Sequence, residues 1–171
     1  MNKKEFKHTI FSLSENIFPM VARMLGSTSN AEDAIQEIMI KLWQKRKKLE
    51  HHPNVKGFVV LTARNYCIDV LRKKMLVVDD STAHLRVLKS STDFDKLAWE
   101  ELNLIVQKII ETIPKSQREV FLMRDLDGYE FKEIAFALKI SVAHTRVLIS
   151  RARKKIREEL ETKYHYEKGG Y

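Results

Sequence analysis

Apolar residues return at spacings of three and four along almost the whole of this chain, and residues that interrupt helices are scarce, with 5 glycines and 3 prolines among 171 positions. Such spacing marks amphipathic helices, each with one face to bury. Alternating runs that could make a sheet are short and ambiguous, MLVV at 75–78 being the best of them. The expected fold class is therefore all-α. The few breakers act as punctuation. Gly26, Gly57 and Gly128 separate periodic segments, while Pro53 and Pro114 stand at breaks. Pro19 lies inside the first apolar segment and implies a kink or a new helix start near Phe18. Helices are expected over 5–25, 31–48, 55–74, 95–112, 116–126, 130–138 and 142–160.

Between Met75 and Thr92 the periodicity fades into VVDDSTAHLRVLKSST, where Asp, Ser and Thr cluster. This stretch reads as a flexible linker. The chain then divides into two small helical modules: a first module over 1–74, the linker over 75–94, a second module over 95–160 and a flexible tail over 161–171. A single cysteine, Cys67, rules out an internal disulfide framework and a cysteine-based zinc set, and suits a reducing cytoplasm. The N-terminal MNKKEFKHTIFSLSEN lacks a secretory apolar stretch, and no run approaches the ~20 apolar residues that a membrane span needs. A soluble, cytoplasmic protein without direct membrane insertion is expected.

A formal net charge of +8 directs attention to an anionic partner, provided the charge is clustered. It is clustered in VAHTRVLISRARKKIREEL, residues 142–160, which carries Arg146, Arg151, Arg153, Lys154, Lys155 and Arg157. Lys139-Ile140-Ser141 separates this segment from the short helix FKEIAFAL, and Ser141 suits the N-cap. That arrangement is helix–turn–helix grammar. Thr145, Ile149, Ala152, Ile156 and Leu160 form the inward stripe, leaving His144, Arg146, Val147 and Ser150 early on the exposed side, where a recognition helix meets base edges. Arg151, Arg153, Lys154 and Lys155 come later and suit phosphates, which position without reading sequence. A merely solvated basic face is the bland alternative, and the preceding helices, turn and cap weigh against it. Upstream, Ser116-Gln117-Arg118-Glu119 offers a capping box, and Asp127-Gly128 closes the helix that follows.

In NAEDAIQEIMIKLWQKR, Ala31, Ile35, Ile38 and Leu42 point inward, with Asn30 and Asp33 suited to the first turn. Asp33, Gln36, Glu37 and Ile40 share the opposite face, an aliphatic residue among acidic and amide groups, as a docking surface for a basic protein would have. An ordinary solvated face with one stray Ile remains open; Trp43 is assigned to the core. The third helix, KGFVVLTARNYCIDVLRKK, mixes aromatics with Arg64, Asn65, Arg72, Lys73 and Lys74. Single-stranded DNA is held by such pairings, although Phe58 and Tyr66 on their own would be core and Asp69 could bridge a neighbouring cation.

Taken in order, AEDAIQEIMIKLW, GFVVLTARNYCIDVLRKK and IPKSQREVFLMRDLDGYEFKEIAFALKISVAHTRVLISRARKKIREEL resemble extracytoplasmic-function sigma factors of the bacterial sigma-70 family, over about residues 8–160. The resemblance implies that Asp33, Gln36, Glu37 and Ile40 dock on core RNA polymerase. It implies that Arg64, Asn65, Asp69, Arg72 and Lys73 handle the melted minus-10 element and that the second module reads the minus-35 duplex. It also implies an inhibitory anti-sigma factor, commonly membrane-bound. No cofactor or catalytic activity is expected. Two departures stand out: Lys139 replaces the glycine usual in the turn, which implies a strained left-handed residue or a different turn, and Leu148 stands where many relatives carry a cation, so that Val147-Leu148 is expected to shift promoter preference.

Two rivals differ in class. An autonomous helix–turn–helix regulator would keep the second module but need a dimer surface or ligand pocket in the first. An enzyme would need to gather Glu32, Asp33, Glu37, His51 and His52 into a helical metal site, yet no two of these residues form an ExxH pair and His51-His52-Pro53 looks like a loop.

Overall fold

A computed structural model describes the backbone over residues 1–77 and 96–164 and the side chains over 1–74 and 104–162. The chain enters its first helix through a reciprocal cap. Asn2 Oδ1 accepts from the Glu5 amide at 2.9 Å, and Glu5 Oε2 accepts from the Asn2 amide at 2.8 Å. Helix α1, Lys3–Thr9, is followed by a 3-10 turn, Phe11–Leu13, and by α2, Ser14–Leu25. The single helix expected over 5–25 is thus broken near Ile10, and Pro19 is absorbed inside α2. The physical reason is local competition: the hydroxyls of Ser12 and Ser14 each donate to a nearby carbonyl, those of His8 and Phe11, at 2.7 Å.

Gly26 ends α2 in the left-handed region at φ 69°. Ser27 then caps α3, Thr28–Gln44, its hydroxyl accepting from the Asn30 amide at 3.3 Å, so Asn30 lies in the first turn as expected while Asp33 falls in the second. The helix expected to run to 48 divides at Lys45, where the short α4, Arg46–Glu50, begins. Asn54 opens α5, Val55–Val77, by accepting from the Gly57 amide at 2.9 Å, and a Cβ on Gly57 would meet that Asn54 side chain at 2.6 Å.

In the second half, α6 spans Lys96–Thr112 and α7 spans Lys115–Phe121. The capping box expected at Ser116–Glu119 does not form, because α7 starts one residue earlier, after Pro114, and Ser116 is already inside it. Arg118 instead reaches back to the Glu111 and Ile113 carbonyls at 2.7 and 3.0 Å, tying down the end of α6. A π turn over Leu122–Leu126 follows, closed by the Asp127 amide on the Leu122 carbonyl at 2.9 Å. The helices α8, Phe131–Leu138, and α9, Val142–Tyr164, complete the described chain.

All regular structure among the described residues is helical. Helices α2, α3 and α5 enclose Ile17, Met20, Ile38, Leu42, Val59 and Ala63, none more than 1% exposed, and α7–α9 enclose Val120, Met123, Ile134 and Ala152. The most extensive helix contact among the described residues joins α5 to α8, so the buried residues of both halves form one continuous core. The linker expected over 75–94 lies outside the described residues apart from 75–77, which extend α5. Likewise α9 takes in 161–164 of the expected tail, and 165–171 lie outside the described residues.

Candidate nucleic-acid interface

The turn between α8 and α9 is built on a strained residue. Lys139 is left-handed, at φ 56° and ψ 42°, so the chain keeps the usual turn geometry without the glycine that makes it cheap. Two residues later Ser141 starts α9, its Oγ accepting from the His144 amide at 3.0 Å while its carbonyl accepts from the Thr145 hydroxyl at 2.9 Å. Thr145, Ile149 and Ala152 are buried beneath the helix, and this fixes the outward face. His144, Arg146, Val147 and Ser150 are all exposed on it. Leu148 is 5% exposed and belongs to the core, so of the pair Val147-Leu148 only Val147 lies on the outward face.

The later cations of α9 are not equivalent. Arg153 makes a two-pronged contact with the Asp125 carboxylate at 2.5 and 3.0 Å, and this bonding holds its guanidinium pKa above the ordinary value. Lys154 and Lys155 pair with Glu158 and Glu159 one turn on, at 3.8 and 3.2 Å. Arg151 and Arg157 are exposed and have no ion pair among the described residues. The guanidinium of Arg146 lies over the Phe131 ring at 5.5 Å, which restrains it near the start of the helix.

On α5, Asn65, Asp69, Arg72 and Lys73 are exposed together, with Arg72 donating to Asp69 at 3.1 Å. Arg64 is not with them. It turns to the other half of the molecule and bonds Glu119, at 2.5 Å through Nη2 and 2.6 Å through Nε. The helix also does not present its aromatic faces as a stacking surface. Phe58 is buried against His52 and Phe136, and half-buried Tyr66 is covered by the Lys41 ammonium at 4.7 Å. Burial chiefly, with the charges of Glu37, Cys67 and Asp33 behind it, raises the Tyr66 phenol pKa.

The α3 face stands as the sequence implies: Asp33, Gln36 and Glu37 are exposed, and Ile40 among them is 51% exposed. Trp43 is half-buried, edge-on to Phe6 at 5.1 Å and under Arg46 at 4.3 Å. The conjectured metal set of Glu32, Asp33, Glu37, His51 and His52 is not assembled; no group of three His, Cys, Asp or Glu residues able to hold a metal occurs among the described residues. His52 Nδ1 accepts from the Asn54 amide at 3.1 Å instead.

Sequence reasoning passed over the residues that join the halves. Arg23 bonds Asp127 at 2.5 Å with side chains 9% and 2% exposed, the Tyr129 hydroxyl donates to the Asn16 carbonyl at 3.0 Å, and Asn54 donates to the Lys132 carbonyl at 3.0 Å. Burial raises the Asp127 carboxyl pKa more than Arg23 lowers it. A signal was present: Arg23 interrupts the apolar run Met20-Val21-Ala22, where a lone cation needs a buried partner.

Two family models match the chain: Sigma-70 region 2 over residues 16–76 and Sigma-70, region 4 over residues 103–156, together about two thirds of its length. Among curated relatives, the ECF RNA polymerase sigma factor SigW of Bacillus subtilis (strain 168) is 26% identical over 156 residues, 85% of this chain and 83% of SigW. The ECF RNA polymerase sigma-E factor of Escherichia coli (strain K12) is 24% identical over 170 residues, 94% of this chain and 88% of that protein. Two solved structures share the fold. The sigma factor RpoE, solved in complex with the anti-sigma factor NepR from Bartonella quintana, gives a TM-score of 0.69 at 21% identity, covering 93% of this chain and 98% of RpoE. CnrH, solved with the cytosolic domain of CnrY, gives 0.61 at 20% identity, covering 94% of this chain and 90% of CnrH. No helix among the described residues is long and apolar enough to cross a membrane. With both regions matched in order and a capped recognition helix in the second, the chain belongs to the sigma-70 family as an extracytoplasmic-function sigma factor, a transcription initiation factor that recognises promoters.

Proposed function

We propose that this chain binds core RNA polymerase through the α3 face of Asp33, Gln36, Glu37 and Ile40, reads the minus-35 duplex with α9 and engages the melted minus-10 element with α5. In this reading the first module spans 1–74, a linker spans 75–94 and the second module spans 95–160. One observation carries it: the capped start of α9 turns His144, Arg146, Val147 and Ser150 outward as a group, in the position from which a recognition helix reaches base edges. Ser150 and Arg151 continue that exposed face, and Arg153, Lys154 and Lys155 flank it as phosphate contacts whose internal carboxylate partners must be displaced or shared. Asn65, Asp69, Arg72 and Lys73 form the minus-10 surface, which Arg64 joins only when it leaves Glu119. The protein works in the cytoplasm, without catalysis or cofactor, as a subunit that lends specificity to an enzyme. An anti-sigma factor covering the α3 face is the expected inhibitor; the two solved proteins that share the fold support this, RpoE having been solved with an anti-sigma factor and CnrH with the cytosolic domain of CnrY.

The test adds the purified chain to core polymerase and maps transcription starts genome-wide. Initiation at a discrete promoter set, lost when Arg146→Ala is combined with Arg72→Ala, is the expected result. Tight, start-independent operator binding by the chain alone, with no new starts on adding core, would sink the proposal in favour of an autonomous regulator.

A further inference from the structure

An isolated aliphatic side chain in water is ordinary on a protein surface. Position makes Ile68 different. Of the six large apolar side chains that stand exposed among the described residues, Ile40, Val147 and Ile68 each lie on a different one of the surfaces proposed above. Ile40 and Val147 have partners in that proposal, and Ile68 has none.

On α5, Asn65 lies one turn before Ile68 and Arg72 one turn after it, so the three exposed side chains share one strip of the helix. Asp69 accepts from Arg72 Nη2 at 3.1 Å, which steadies the guanidinium while the arginine side chain stays 71% exposed and keeps further donors open to solvent. The rings of α5 do not offer faces for stacking, since Phe58 is buried and Tyr66 is covered by Lys41. Selection among bases on this strip therefore falls to Ile68 and its polar neighbours. Those neighbours favour a nucleic acid over a protein as the occupant: Arg72, Lys73 and Lys74 are exposed against the single acid Asp69, and a DNA strand carries the matching negative charge at every phosphate.

A base that has left its stack exposes all its edges. Thymine alone presents a 5-methyl group, and its O4 accepts a hydrogen bond; cytosine has the same ring size, no methyl, and a donor at N4 in place of that acceptor. An aliphatic side chain one turn from a guanidinium suits thymine on both counts. Cytosine would leave Ile68 uncovered and set its N4 donor against the donors of Arg72.

We infer that Ile68 is a specificity-determining residue that covers the 5-methyl group of a thymine in the melted minus-10 strand, with Arg72 donating to the O4 of the same base. This rests on the proposed engagement of that element by α5.

Thymine and deoxyuridine differ by the methyl group alone, which supplies the test. Mapping of transcription starts provides the promoters, and the strongest is built as a fork whose minus-10 strand is unpaired. Each thymine of that strand is replaced in turn by deoxyuridine, and binding of the full-length chain assembled with core polymerase is titrated by fluorescence anisotropy. One replacement should weaken the wild type about threefold to fivefold. Ile68→Ala should lose a similar factor on the thymine fork and bind the thymine and deoxyuridine forks alike, whereas Ile68→Val, which keeps a branched aliphatic, should retain the difference. Cytosine at that position should weaken the wild type more than deoxyuridine does, and Arg72→Ala should narrow this gap. A wild type indifferent to every replacement, an Ile68→Ala chain that still distinguishes the two forks, or promoters with no recurrent minus-10 thymine overturns the inference. Loss of core-polymerase binding in Ile68→Ala would place the side chain in a protein contact and overturn it as well. The engagement of α5 with the strand has its own readout: Asn65→Ala with Arg72→Ala should abolish binding to the fork, and a double variant that binds like the wild type overturns that reading.

Discussion

Arg23 and Asp127 show how one pair of side chains can couple two helical units. Removing one partner leaves a buried charge alone, at a cost of about 3–5 kcal/mol while the two halves stay packed. Asp127→Leu should therefore destabilise the docked protein, whereas Arg23→Met together with Asp127→Leu should recover most of the loss, since apolar side chains of similar size suit the same pocket. Thermal unfolding of these two variants and of Arg23→Met alone checks the non-additivity. The same carboxylate gives the protein a pH signature. Its folded pKa lies above the ordinary 3.8 because burial outweighs Arg23. A group shifted upward contributes stability that is complete below its unfolded pKa and is lost as pH rises through the folded value. Denaturation of wild type and Asp127→Asn between about pH 3 and about pH 7 should show the wild type's relative stability falling as pH rises above 3.8. A flat difference would mean that Asp127 titrates as an ordinary surface carboxylate.

Among the elements, the α8–α9 turn and the basic end of α9 make separable predictions. Lys139 holds a left-handed conformation that costs an L-residue about 1 kcal/mol relative to glycine, so Lys139→Gly should raise stability by about that amount and the melting temperature by about 2–4 °C. Further along, Arg151 is unpaired among the described residues and Arg153 is held by Asp125. Arg151→Ala should reduce the salt slope of promoter-duplex binding by about one unit, and Arg153→Ala by clearly less; equal effects would show that Asp125 does not compete with phosphate. At this scale much was legible. Helical spacing gave the helices and the inward stripe of Thr145, Ile149 and Ala152, and Ser141 could be read as a cap. The breaks near Ile10 and at Lys45 were not legible, since apolar spacing continues across them while Ser12 and Ser14 redirect the backbone bonds. Nor was the π turn, which inserts one residue into a helix without changing its composition.

For the whole molecule, the surfaces sit on different halves and should fail independently. Ile40→Ala, at an exposed position ringed by Asp33, Gln36 and Glu37, should weaken core-polymerase binding by about 1 kcal/mol or more while leaving duplex binding by α9 unchanged. Titrating labelled variant with core and, separately, with promoter duplex measures both; loss of duplex binding would show that the substitution disturbs the fold. The docking of the halves was the least legible feature, because its partners are 104 residues apart for Arg23 and Asp127 and 55 apart for Arg64 and Glu119, and no periodicity reports such pairs. The Arg64–Glu119 contact also carries a genetic consequence. A substitution at Arg64, whatever selected it, would leave the Glu119 carboxylate without its partner and weaken the packing of the two halves in the same step. Descendants that regain the lost stability would be expected to bear a second change at Glu119, a paired trace that comparison of close relatives could reveal.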